Sequence, residues 1–164
     1  MKPITQFITE QWTKCKAYLL VGLPGSGKST WCKEYYPDLP VVSRDIIRAE
    51  LGYTESVDQK AKLSFAEENN VTKEEHKQIK MHCERGEDFI IDDTNITLKF
   101  RREMIKMLRD NGAFVVGVQF NTPLDTCIQR RDGQIDADTM KKINQRMTKL
   151  SDDEVDDLII VQVE

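Results

Sequence analysis

Residues 17–30 read "AYLLVGLPGSGKST", an apolar run that breaks into a glycine-rich turn and then into a lysine followed by two hydroxyls. The uncharged run suits a strand buried on both faces, and the residues after Gly27 suit the start of a helix. Strand, tight turn and helix in that order point to a parallel sheet, because the chain must cross over before it can pair again. The spacing is that of G-x-x-x-x-G-K-[ST], in which glycines let backbone N–H groups approach phosphate oxygens with no Cβ in the way. Gly22, Pro24, Gly25, Ser26, Gly27, Lys28, Ser29 and Thr30 are therefore the candidate nucleotide-binding residues. The helix start adds a field favourable to anions, Lys28 can reach β- and γ-phosphates, and the Ser29 hydroxyl can ligate magnesium. Such a loop names a phosphate donor and leaves the acceptor open.

The rest of the chain repeats the alternation. Strands are expected over Ala17–Val21, Leu39–Val42, Phe89–Ile91, Ala113–Phe120 and Leu158–Val163. Helical stretches lie between them, most clearly Leu98–Asp110, with Phe100, Met104 and Met107 on one face, and Thr139–Leu150, with Met140, Ile143, Met147 and Leu150 in register. The expected fold is α/β, a parallel sheet of about five strands with helices on both faces. A chain of 164 residues suits one such domain, placed over residues 17–164. Residues 1–16 form an N-terminal extension in which Ile4, Ile8, Trp12 and Cys15 fall at helical spacing, as for a segment docked on the domain.

Composition narrows the partners. The net charge of −4 counts against a large nucleic-acid footprint, yet leaves room for a site that grips one strand end. No apolar run approaches the roughly 20 residues that span a bilayer, and the first residues lack the pattern of a signal peptide, so a cytoplasmic protein without a membrane partner is expected. The four cysteines, Cys15, Cys32, Cys83 and Cys127, form no C-x-x-C pair and read as reduced, partly buried thiols. Cys83 beside His82 makes a poor tetrahedral metal site. The acidic run "SDDEVDD" at 151–157 reads as a solvated loop.

Three further elements carry chemistry. In "VVSRDIIR" a strand end is followed at once by Arg44, Asp45 and Arg48, and residues just past the carboxyl ends of parallel strands face the ligand crevice. Asp45 could take a proton from an attacking hydroxyl or help hold a metal ion, with Arg48 one helical turn on. The same pair could equally be a helix cap and its surface partner. In "FIIDDTN" an apolar strand ends in Asp92 and Asp93, either of which could place magnesium as a Walker B carboxylate, with Thr94 and Asn95 adding hydrogen-bonding groups. In "CIQRRDGQIDADTM", Arg130 and Arg131 end a helical stretch that begins after Pro123 and precede a glycine turn; arginines there could close over a transferring phosphoryl group or simply favour a helix end. "DADTM" fails the D-x-D-x-[TV] phosphatase pattern at Met140, which leaves Asp136 or Asp138 as a helix cap.

Together, "PGSGKSTW", "SRDIIR", "IIDDTN" and "FNTPLDTCIQRR" resemble the 5′-hydroxyl polynucleotide kinase family of phages and bacterial RNA-repair enzymes, in the family's order from Ala17 to Leu150. The resemblance implies a P-loop kinase with a helical lid that transfers the γ-phosphate of ATP, or of another nucleoside triphosphate, to the 5′-hydroxyl end of single-stranded or nicked DNA or RNA. It further implies Asp45 as general base and Arg48 as clamp on the acceptor's 3′-phosphate. Asp93 would hold Arg48, Thr94 and Asn95 would border the acceptor, and Arg130 or Arg131 would be the lid arginine. Catalysis would then rest on Lys28, Asp45, Arg48 and the lid arginines, and Mg2+ on Ser29, Asp45 and Asp92. A small-molecule kinase acting on a sugar, nucleoside or antibiotic is the alternative.

Overall fold

The computed structural model describes residues 13–57 and 62–163. Its sheet holds five strands: β1 (Cys15–Val21), β2 (Val41–Val42), β3 (Phe89–Ile91), β4 (Ala113–Asn121) and β5 (Asp157–Gln162). All pairings are parallel and the order is β2-β3-β1-β4-β5, so the strand that feeds the glycine loop is central. The described residues form six helices: α1 (Lys28–Tyr35), α2 (Arg44–Glu50), α3 (Phe65–Arg85), α4 (Leu98–Asp110), α5 (Leu124–Arg130) and α6 (Ala137–Arg146). None is long and apolar enough to cross a membrane.

Buried strands explain the sheet's composition. β1, β3 and β4 are covered on both faces, as the near-continuous apolar runs demand. One core packs Leu19, Val42, Ile79, Phe89 and Leu108 on one side of the sheet, and the other packs Leu20, Trp31, Ile90 and Phe120. A third cluster joins Leu23 of the glycine loop to Cys127, Ile135 and Met140, which seats α5 and α6 over that loop.

The departures from expectation have local causes. Cys15 is not part of a docking helix but opens β1, paired with Ala113, while Ile4, Ile8 and Trp12 lie outside the described residues. β2 is short because Pro40 has no N–H to give, although its carbonyl still accepts from Ile90 (2.9 Å). The long helix α3 was not foreseen as an element; its start is fixed by a reciprocal capping box between Ser64 and Glu67. α6 begins at an N-cap made by Asp136, not Asp138, and ends at Arg146 instead of Leu150. Residues 148–150 run on without helical bonding, with N–H groups used elsewhere: Thr148 donates to the Ile96 carbonyl (2.9 Å) and Leu150 to the Gln119 amide oxygen Oε1 (2.8 Å). All four cysteines are fully buried free thiols, more enclosed than expected.

Candidate functional site

Tight backbone turning sets the phosphate loop. Gly25 and Gly27 sit at φ 80° and 97°, where a side chain would be strained. A Cβ on Gly22 would come within 2.6 Å of Ser26 Oγ and 2.9 Å of Phe120 Cβ. Ser26 Oγ is buried without a hydrogen-bond partner, so the loop holds an unspent hydroxyl among its N–H groups. Lys28 folds over the loop, its Nζ donating to the carbonyls of Gly22 (3.1 Å) and Leu23 (2.9 Å). Burial depresses its pKa; Asp92 opposes that shift and Arg131 adds to it. Thr30 is exposed on the first turn of α1.

Ser29 Oγ donates to Asp92 Oδ2 at 2.9 Å. A hydroxyl and a carboxylate side by side at a phosphate loop are hard oxygen donors of the kind Mg2+ takes alongside nucleotide phosphates, so these two residues fit that ion. Asp45 does not share in this pair. It lies exposed on the first turn of α2, where its Oδ1 accepts from Arg48 Nη1 at 2.9 Å.

Arg130 and Arg131 follow α5 onto the loop. Arg130 Nη1 donates to the Gly25 carbonyl (3.1 Å), while Arg131 donates to Gln134 Oε1 (2.8 Å) and lays its stem against Gly25. Both line a donor cavity of about 720 Å³ that also takes in Lys28, Ser29 and Thr30, with Trp31, Tyr35 and Val161 on its apolar side. The thiol of Cys127 on α5 is pushed up in pKa by burial, against the pull of Lys28, Arg130 and Arg131.

Behind the strand end the arrangement differs from what the resemblance implied. Asp93 does not hold Arg48. Its Oδ1 accepts the backbone N–H of Arg44 at 3.0 Å, one of the orphan donors at the start of α2, which Ser43 leaves uncapped. Arg48 is held instead by Asp45 and by Glu68, at 3.2 Å from Nε to Oε1 and 3.3 Å from Nη2 to Oε2. Arg44 donates to Glu68 Oε2 (2.8 Å), Glu75 Oε2 (2.9 Å) and Thr72 Oγ1 (3.1 Å). Burial would raise the pKa of Glu68, but its hydrogen bonds from Arg48 and Arg44 outweigh that and hold it low. Asp93 is pushed up to about 8, by burial first and then by the negative charge of the neighbouring Glu75. Glu75 Oε1 is itself buried without a hydrogen-bond partner.

Thr94 and Asn95 tie this edge to the donor loop. The Thr94 carbonyl accepts from Gly22 N (3.1 Å), and Asn95, at φ 48°, donates its amide to the Leu20 carbonyl (2.9 Å). Arg44, Thr72, Glu75, Asp93, Thr94 and Asn95 line a second cavity of about 530 Å³, which shares no residue with the first.

Glu68, Thr72 and Glu75 were missed from sequence, although they fall at i, i+4 and i+7 and so share one face of α3. Arg101 was missed as well. It is wholly buried, bonded to both oxygens of Glu154 (2.9 and 3.1 Å) and to the carbonyls of Asn95 (3.1 Å) and Thr148 (2.7 Å). Its signal was an arginine in register with Ile105 and Leu108, the most deeply buried face of α4. The acidic run is therefore no mere solvated loop: Glu154 answers Arg101, and Asp156 binds Val115 N (2.8 Å) and Arg109 (3.2 Å).

Residues 18–151 match the sequence profile of the AAA domain family. The chain belongs to that family. No curated protein matches it at a significant level. Among solved structures, it is similar to a chain of the Pnkp1/Rnl/Hen1 RNA repair complex, with 23% identity and a TM-score of 0.68 over 80% of this chain and 43% of that one. It therefore spans less than half the length of the RNA repair chain it matches. It is also similar to a sugar kinase from Janibacter sp. (15% identity, TM-score 0.63, 90% and 85% covered). A third likeness is the Mycobacterium tuberculosis APS kinase CysC in complex with AMPPNP and APS (17% identity, TM-score 0.57, 88% and 87% covered). The fold is that of a P-loop kinase.

Proposed function

We propose that the protein is a polynucleotide 5′-hydroxyl kinase, transferring the γ-phosphate of ATP to the 5′-hydroxyl end of DNA or RNA. The observation that carries this reading is the Asp45–Arg48 pair at 2.9 Å on the opening turn of α2, an exposed carboxylate beside a guanidinium at the strand-end crevice. A base and a phosphate clamp one turn apart match the two constant features of a nucleic-acid end, its terminal hydroxyl and its first phosphodiester. The likeness to an RNA repair complex adds to it.

In this mechanism Asp45 accepts the proton of the 5′-hydroxyl as that oxygen forms a bond to the γ-phosphorus. The bond from the γ-phosphorus to the β,γ-bridging oxygen breaks, and ADP leaves with that electron pair. Lys28 and one of Arg130 and Arg131 neutralise charge on the transferring group. Ser29 and Asp92 would hold Mg2+, which when bound offsets charge on the β- and γ-oxygens. Asp45, engaged with Arg48, is read as base and not as metal ligand. Asp93 acts by fixing the start of α2, and Thr94 and Asn95 border the acceptor. The catalytic unit is taken as residues 17–164 with 1–16 as an extension.

A small-molecule kinase is the second reading, favoured by one observation: the chain spans 85% and 87% of the sugar kinase and the APS kinase. Both are tested by offering labelled ATP and magnesium with a nucleoside 3′-monophosphate, the plain nucleoside and a sugar. The 3′-monophosphate should be preferred over the nucleoside by about 10–100-fold, the worth of one charged hydrogen bond, and Arg48→Gln should abolish that preference while leaving ATP binding intact. Transfer to the sugar alone would discard the polynucleotide reading.

A further inference from the structure

The face of α4 that carries Phe100, Met104 and Met107 is only partly spent on the core, against which Met104 and Met107 pack half-buried. It fronts the second cavity, of about 530 Å³, and Phe100 at its mouth is 68% exposed. Phe100, Met104 and Met107 recur at i, i+4 and i+7, so ring and thioethers form one continuous apolar wall. The opposite wall is α3, through Thr72, Glu75 and His76, and the floor is Asp93 and Thr94. The floor is polar and hydrogen-bonded, the wall apolar and aromatic. That combination fits a flat heteroaromatic ring better than an aliphatic or sugar group, which would leave the wall wet.

The cavity is also joined to the reacting end. Asp93 on its floor holds the Arg44 N–H at 3.0 Å, and the next residue is Asp45. Arg44 itself lines the cavity, so the residue that follows it, Asp45, is carried on the same turn of α2. The volume admits one nucleoside and little more, which separates it from a surface for a folded partner.

We infer that this cavity is the base subsite for the first nucleoside of the acceptor strand, with Phe100 as its stacking face. The inference rests on the polynucleotide reading above and extends it to a new residue. Methionine wall groups adapt to rings of different size, so purines and pyrimidines are both accepted and the site reads the presence of a base, not its identity.

The test compares wild type, Phe100→Ala and Phe100→Trp on two 5′-hydroxyl oligonucleotides, one with a normal first nucleoside and one abasic at that position. Stacking on an aromatic side chain supports about 5–150-fold in affinity per base. Phe100→Ala should raise the acceptor KM by that factor on the normal strand, leave it unchanged on the abasic strand, and leave the KM for ATP alone. Phe100→Trp should restore wild-type behaviour. Because the ring is exposed, neither change removes core packing. Normal phosphorylation by Phe100→Ala, or an equal loss on both strands, overturns the base subsite while the kinase reading stands. Failure of every form, wild type included, to phosphorylate any oligonucleotide overturns both.

Discussion

The loop at Gly22–Thr30 and the cavity behind Asp93 open from neighbouring strand ends, yet they are made of different material. The loop is one continuous segment whose groups are backbone N–H and carbonyls, shaped by positive φ at Gly25 and Gly27. The cavity draws side chains from α2, α3, the β3 exit and α4, held by a web of ion pairs around Arg44 and Arg48. Backbone geometry can be passed unchanged from one kinase to another because it does not depend on distant residues. A side-chain cavity changes with each substitution, and acceptor choice is free to drift while the donor site stays put. Adjacent residues mark the divide: Asp92 answers Ser29 of the loop, and Asp93 answers Arg44 of the cavity.

The sharpest way to break this division is Asp45→Asn. Loss of a positioned base should lower kcat by about 10²–10⁴-fold with ATP affinity unchanged, since the donor loop owes nothing to α2. Single-turnover transfer and an ATP-binding titration read the two halves separately; a parallel loss of ATP binding would merge them.

Next in size is Arg101, which clamps Asn95, Thr148 and Glu154 together. Arg101→Met leaves Glu154 buried without its partner and should cost about 3–5 kcal/mol in denaturant unfolding. Adding Glu154→Gln should recover part of that loss. A near-neutral Arg101→Met would mean that water reaches Glu154 and that the clamp is not what stiffens this side.

The last effect, the smallest for any single step, concerns pH. With Asp93 raised to about 8 in the folded protein, the unfolded chain releases this proton near pH 4 while the fold still keeps it. Between those values the unfolded state binds fewer protons, so the residue's contribution falls as pH rises, by at most about 1.4 kcal/mol per pH unit. Above the folded value the slope ends. Asp93→Asn mimics the protonated form and should gain stability on wild type through that window, measured in nucleotide- and metal-free buffer. A constant difference from pH 4 to 8 would show Asp93 ionised throughout.

The same contrast decides what could be read in advance. Contiguous features were legible: the glycine loop, the parallel sheet implied by alternating apolar runs, and the Asp45–Arg48 pair at i, i+3. Features built across the chain were not. The partner of Arg48 is Glu68, twenty residues on in a helix that no motif announced, and Asp93 turned out to serve Arg44 because an uncapped helix start lay within its reach. The Phe100 face was seen as periodic, but period alone cannot say how deeply each residue sits: Met104 and Met107 pack against the core while Phe100 stays exposed. Only the buried arginine in the other register would have settled it.

That arginine also imposes an order of assembly. Asn95 and Glu154 lie far apart in the sequence, and the Arg101 guanidinium touches both. During synthesis the residues from the glycine loop to α4 leave the ribosome first, carrying a cation that has no anion to meet until residue 154 emerges. The edge at Asn95, whose amide is bonded to the end of β1 beside the phosphate loop, is clamped only once that residue arrives.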